Sequence, residues 1–525
     1  MDKELVRKSM EKAVHEEFEE RVRDQAEFLR GELEAGHLDN PDYTIGLEIE
    51  VYGVDDDYRI TDIPDSIYRG NITKELGMHN AEINTSPESL SQEGLENKKT
   101  QVNDALDSIQ EDFTDIQLVM DSIWTIPPEE GSIEYLSHVY RDEDLSLAAN
   151  MRDLPRYAAI DNYIMHLKED YSLNLPGFTG AFPTLLFESL ATSIQPHLQI
   201  PNTDDFPDYF NTAVRTTGPV LALCTNSPFL PYDMYDENME IHDLDKTYHE
   251  LRIPIFDQAV NAYREYDRKK LKFPRDIEET SDFLDRVVED LSYSPFLEEW
   301  LNSNLELEDQ ELRLDENEID LVDEGDVADY IGSFWEFDHK RTTYWRWVRP
   351  VIGVNTDDSG EKRGSIRIEY RPIPTQPAVE DVVSVQALVS GLLIGLVEEE
   401  HPLLDLEWRK SKISFYNAVE DGIDGQLYWV DEDGEVTTDN DVMYEEIFRY
   451  ARKGLESQEI DPGYAKEVLE PMKARWKNEM TPSKWKIEKV RDGMRSGESF
   501  PDAVADMQAD YIRNSNEEES FADWF

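Results

Sequence analysis

Residues 44–52 read TIGLEIEVY, an alternation that places Glu48 and Glu50 on one face of a strand and Ile45, Leu47, Ile49 and Val51 on the other. Three further stretches repeat the device: 80–86 (NAEINTS), 193–200 (SIQPHLQI) and 365–371 (SIRIEYR). Glu82, then Gln195 with His197, then Arg367 with Glu369 and Arg371, would each line a single face. If the four strands share one sheet, its polar face is a cup of carboxylates, an imidazole and guanidiniums. That mixture suits a metal-bound polyphosphate better than bare solvent.

Glu48 and Glu50 stand two residues apart, so their attachment points are about 7 Å apart, a span that one or two hard cations can bridge. Two same-face acids in an acidic chain also suit a solvated face. The segment 340–371 argues otherwise: it carries eight basic side chains (Lys340, Arg341, Arg346, Arg349, Lys362, Arg363, Arg367, Arg371) against four acidic ones. A local charge of +4 in a chain of net charge −65 points to an anionic ligand, with Arg349 and Arg367 as candidate contacts; the alternative is arginines paired with the acidic surface. His197 could ligate metal or orient a phosphate, or be a satisfied rim residue. His15 and Glu19 have helical spacing, but nothing completes a metal site there, and a solvated face is expected. No GxxxxGK loop and no GxSxG elbow occurs, so a nucleotide would be held by metals and arginines.

The net charge comes from 51 basic and 116 acidic residues. Area scaling gives roughly 20,000 Å² of surface, so exposed acids would sit on the order of 13 Å apart. The screening length is ~3 Å in 1 M salt and ~8 Å at physiological strength, so molar salt suits this chain and its absence brings self-repulsion. Halophilic adaptation is the expectation, with neither nucleic acid nor an anionic membrane as partner. A hydrophobic content of 39% and an aromatic content of 10% argue for a packed core over a disordered acidic polymer. Cys224, the sole cysteine, lies in the apolar run VLALC and excludes an intrachain disulfide and a multi-cysteine zinc site. The charged, helix-periodic N-terminus lacks a secretory pattern, and the apolar stretch 382–397 reads as a buried helix; a cytoplasmic protein is expected.

The polar-faced strands need one another, so residues 37–400 are expected to form one catalytic α+β body. It follows an N-terminal helix (1–36) and carries an acidic insertion or cover at about 232–336, with a helical region containing a hairpin at 401–525. Residues 3–34 read as one amphipathic helix and 92–120 as another. LYWVDEDGEVT (427–437) reads as the hairpin, and the tail beyond Asn514 as mobile.

The segments GLEIE, AEINTSP, LPRYAAIDNYIM, ATSIQPHLQI, ALCTNSPF, WRWVRP and GSIRIEYRP, in this order, resemble the glutamate-cysteine ligases of the second type and the wider carboxylate-amine ligase family. GLLIGL and ARKGLESQEIDPGYAKEVLEPM are similar to C-terminal helices of its plant and proteobacterial branch, while the acidity suggests a haloarchaeal-like branch. The resemblance runs from about Tyr43 to near Lys477. It implies a glutamine synthetase-like α+β fold: a curved, mainly antiparallel sheet with a polar active-site face and helices on the other. The implied reaction is ATP-dependent amide formation through an acyl phosphate, joining the γ-carboxylate of glutamate to an amine, cysteine being the family's usual one.

By the same resemblance Glu48, Glu50, Glu82 and Glu369 bind magnesium or manganese at the nucleotide phosphates. Arg371 steadies the transferred phosphoryl group, with Glu50 beside it as a catalytic group. Arg349, Arg367 and His197 are assigned to the nucleotide, and Arg156, Thr192, Gln195 and Asn226 to the amino-acid substrate. Pro372 and Ile373 replace an aspartate common after the family's strand motif, which leaves the metal set and the amine open. A carboxylate-amine ligase of other specificity, a non-catalytic scaffold that keeps the fold, and a metallohydrolase remain as alternatives, and a homo-oligomer is left open.

Overall fold

The computed structural model describes residues 3–113, 115–167, 170–236, 239–261, 269–290, 333–356, 360 and 362–525. The acidic run 305–326, expected to be a solvated face of the insertion, lies outside the described residues.

Eight strands form the main sheet: β1 (Thr44–Val54), β2 (Ile72–Lys74), β3 (Asn80–Asn84), β4 (Glu88–Ser89), β5 (Gln117–Val119), β6 (Ile194–Ile200), β7 (Val348–Thr356) and β8 (Lys362–Tyr370). Their order is β7-β8-β6-β1-β3-β2, with β4 and β5 also on β1, and every pairing is antiparallel. The sheet is curled, and all four alternating segments of the sequence lie on neighbouring strands within it. Ile45, Leu47, Ile49 and Val51 are at most 1% exposed, as their side of the alternation requires.

Helix Val379–Glu398 runs behind this apolar face and is buried along nearly its whole length. It is long and apolar enough to cross a membrane, yet it lies inside the protein, where Gln386 donates to the His197 carbonyl on β6 at 3.3 Å. Helix Asn440–Ser457 approaches it closely, because both are notched by glycine: a Cβ on Gly454 would collide with the Gly391 carbonyl oxygen, and one on Gly395 with that of Tyr450. Backbone meeting backbone leaves no side chain to yield.

Several local expectations are corrected. The N-terminal helix is two, Lys3–Ser9 and Lys12–Glu34. The second long helix stops at Asp112, and β5 follows. His15 is not solvated: its ring stacks on Tyr163 at 5.0 Å, and Glu19 pairs with buried Lys340 at 2.8 Å. The tail is docked. Helix Phe500–Glu517 continues into a single turn, Phe521–Trp524, with Phe521 fully buried; Asp381 accepts from the Phe521 backbone N–H at 2.9 Å, and Trp524 packs edge-on against Trp485 at 5.1 Å. Cys224 is buried, and the hairpin pairs Trp429–Val430 with Val436–Thr437 around Gly434 at φ +81°.

Candidate active site

Register decides what the polar face displays. Arg349 on β7 lies opposite Glu369 on β8, which lies opposite His197 on β6. One step along, Gln195, Glu48 and Asn84 form a second row, and Glu50 faces Glu82, which faces Thr73, in a third. Acids separated by hundreds of residues thus meet on one surface.

Two networks occupy it. At one end Arg349 grips Glu369 through two hydrogen bonds, Nε to Oε2 at 2.6 Å and Nη2 to Oε1 at 2.9 Å, and Arg371 Nη1 bridges Glu369 and Gln195. His197 Nε2 stands 3.3 Å from Glu48 Oε1, and Arg367 Nε donates to its Nδ1 at 3.0 Å. One ligand atom from each of Glu48, His197 and Glu369 lies within 4.8 Å of the others. Burial would push the Glu369 carboxyl up, but Arg349 and Arg371 outweigh it and hold the group well below the usual carboxylate range. Glu48, half-buried, is likewise lowered: burial is opposed successfully by the His197 contact.

At the other end the acids outnumber their partners. Burial pushes Glu50 up against the pull of Arg252 and Arg371, although its Oε2 accepts from the Ser193 backbone at 2.7 Å. Burial, then repulsion from Glu75, Glu48 and Glu50, lifts Glu82 well above its ordinary value, and burial with Glu50 pushes Glu75 up to about 7. Carboxyls that resist ionisation side by side are the arrangement a divalent cation reverses. Carboxylate oxygens with one imidazole nitrogen form a donor set that fits magnesium or manganese.

A cavity of about 750 Å³ opens over this face, lined by Glu48, Glu50, Glu82, Gln195, Arg156, Arg349 and Arg371, and by four residues that alternation did not reveal: Glu75, Glu188, Arg252 and Lys270. The size suits a cofactor with a small substrate. Arg156 donates to the Tyr157 hydroxyl at 2.7 Å. Arg252 and Lys270 come from the stretch expected to be a cover; there Leu271–Lys272 pairs in parallel with Trp345–Arg346 and forms a wall of the cavity. Arg367 and His197 line an adjoining pocket of about 210 Å³ that shares Glu48.

Three of the sequence-derived residues line neither cavity: Thr192, Asn226 and Glu369, the last fully buried and gripped by Arg349 and Arg371. Thr192 turns its hydroxyl onto the Asp121 carbonyl, while its neighbours Ala191 and Ser193 line the wall. Asn226 is buried and donates to Thr375 O at 2.7 Å and to the Tyr511 hydroxyl at 2.8 Å. Thr192 and Asn226 brace the floor from beneath.

Among solved structures, the fold is similar to a glutamate–cysteine ligase from Francisella tularensis in complex with AMP: TM-score 0.50, 12% identity, covering 92% of this chain and 91% of that one. A bifunctional glutathione synthetase from Pasteurella multocida aligns over 94% of this chain and 55% of that one, with 13% identity and a TM-score of 0.48. At such identities the likeness concerns the fold. Comparison with curated proteins gives no match. The model of glutamate-cysteine ligase family 2 (GCS2) matches residues 44–504, a span that takes in every strand of the large sheet, and the chain belongs to that family.

Proposed function

We propose that this protein is an ATP-dependent ligase that joins the γ-carboxylate of glutamate to an amine, cysteine first among them, through an acyl phosphate. Family membership supports the reaction class. The observation that carries the reading is the meeting of Glu48, His197 and Glu369 with Arg349 and Arg371 on one sheet face, where Glu48, Arg349 and Arg371 line the main cavity and His197 the pocket adjoining it, since phosphoryl transfer depends on positioning and on neutralising charge.

In this reading Glu48, His197 and Glu369 hold one magnesium or manganese ion, and Glu50 and Glu82 face another. Bound there, the metal would neutralise phosphate oxygens of the nucleotide. Arg371, already bridging Glu369 and Gln195, is the cation that meets charge on the transferred phosphoryl group, with Glu50 beside it. Arg349 holds the carboxylate of the metal cluster in place, Arg367 would have to release His197 Nδ1 for Nε2 to take the ion, and Arg156 and Gln195 orient the amino acid. The apolar wall of Trp345, Trp347 and Phe256 excludes water while the amine attacks. The acidic composition supports a halophilic, cytoplasmic setting.

The test is turnover in molar KCl with ATP, magnesium and glutamate. ADP release is expected only when an amine acceptor is added. Release without any amine would favour hydrolysis, and no release with any amino acid would overturn the ligase reading.

A further inference from the structure

Among the described residues seven Lys and Arg side chains line the main cavity, and six have a hydrogen-bond or ion-pair partner. Lys74, Arg346, Arg349 and Arg371 each pair with a carboxylate. Arg156 donates to Tyr157, and Arg252 to the carbonyls of Pro372 and Arg371 at 3.2 and 3.0 Å. Lys270 differs. It is 1% exposed, and its ammonium lies 3.7 Å from the centre of the Trp345 ring. Among the described residues it gives no hydrogen bond and forms no ion pair, Glu188 acting on it only through space. A desolvated ammonium held by an aromatic face, with Glu188 near it but not in contact, lacks a contacting counter-charge. Burial accordingly pushes it down to about 8.

We propose that Lys270 binds the α-carboxylate of an amino-acid substrate and sets the preference of the cavity for amino acids over simple amines. In taking the ligand to be an amino acid the proposal rests on the ligase reading. Lys270 stands on the wall where Trp345 packs edge-on against Phe256 at 5.2 Å and is not a member of the Glu48–His197–Glu369 cluster, so a metal-bound phosphate is the poorer fit. A compact ammonium beside an apolar wall matches one carboxylate next to an aliphatic stem. Two substrates of the proposed reaction, glutamate and cysteine, carry that group.

Calorimetry in molar KCl with magnesium and a non-hydrolysable ATP analogue distinguishes them. The protein should bind glutamate at least about 10-fold more tightly than 4-aminobutyrate, or cysteine than cysteamine, the partner in each pair lacking only the α-carboxylate. Lys270→Met should abolish that ratio for one pair and thereby identify the substrate held, and Lys270→Arg should restore part of it. Lys270→Gln serves as a second neutral variant should the methionine protein fail to fold. Retention of both ratios in the neutral variants, absence of both ratios in the wild type, or loss of nucleotide affinity instead would overturn the proposal. Carboxylate-dependent binding with no ADP release for any amine would remove the ligase reading and leave the Lys270 assignment standing.

Discussion

Arg349 and Glu369 face each other across β7 and β8 and share two hydrogen bonds of 2.6 and 2.9 Å, while Arg371 also donates to Glu369 Oε1. One buried carboxylate therefore answers two guanidiniums. Glu369→Gln should cost on the order of 3 kcal/mol, because two half-buried cations lose their partner, whereas Arg349→Met should cost less, Glu369 keeping Arg371. Urea denaturation in molar KCl gives both values. The reverse ranking would show that the carboxylate is not the hub.

The Glu48–His197–Glu369 cluster should bind Mn²⁺, with free metal read by electron paramagnetic resonance. Glu48→Gln and His197→Gln should each weaken binding by at least about 10-fold. Undiminished binding in both variants would remove the metal assignment.

Acid should destabilise the fold through His79, which sits behind the site sheet. Its Nδ1 accepts from the Tyr135 hydroxyl at 2.9 Å and its Nε2–H donates to Ser189 O at 2.9 Å, so the neutral ring is fully satisfied. Burial pushes the imidazole down to about 4 from 6.5. Between those values the unfolded chain binds a proton that the native one refuses. The contribution is therefore complete above pH 6.5 and lost as pH falls to about 4, a difference of about 3 kcal/mol. Glu250, pushed up to about 7 by burial, acts with the opposite sign, so the comparison must be between proteins. His79→Gln should make the slope of stability against pH between pH 4 and 6.5 less positive than in the wild type, and an unchanged slope would refute the assignment.

Glycine identity matters only where backbones touch. Gly454→Ala should lower stability by at least ~2 kcal/mol, because the new methyl meets the Gly391 carbonyl. Gly31→Ala, with nothing within 4 Å, should raise it by up to about 1 kcal/mol. Thermal denaturation of the two variants checks the contrast.

The polar face was legible because a two-residue period is a strong local signal: Glu48, Glu50, Glu82, Gln195, His197 and Glu369 each alternate with buried aliphatic neighbours. Register was not legible, so nothing in the sequence paired Glu50 with Glu82 or His197 with Glu369. Glu75, Arg252 and Lys270 escaped notice because they lie outside the alternating segments, and tertiary packing alone aims them at the cavity. Thr192 and Asn226 illustrate the converse. A motif marks where the chain passes the site, but one residue's phase decides whether the side chain enters it or braces it. The tail was misjudged for a related reason: the charges of NEEES conceal the anchor in FADWF, which Asp381 and Trp485 receive from distant parts of the chain.

The polar basin is stitched from β1, β3, β6 and β8, whose members lie more than three hundred residues apart in the chain. During synthesis, Glu48 and Glu82 leave the ribosome long before Glu369 and its arginines exist to complete the arrangement. No nascent fragment ending before β8 holds Glu48, His197 and Glu369 together, so a ligand that needs all three, as the proposed metal would, cannot reward partial folding. Stabilisation by such a ligand would begin only once β8 has joined the sheet.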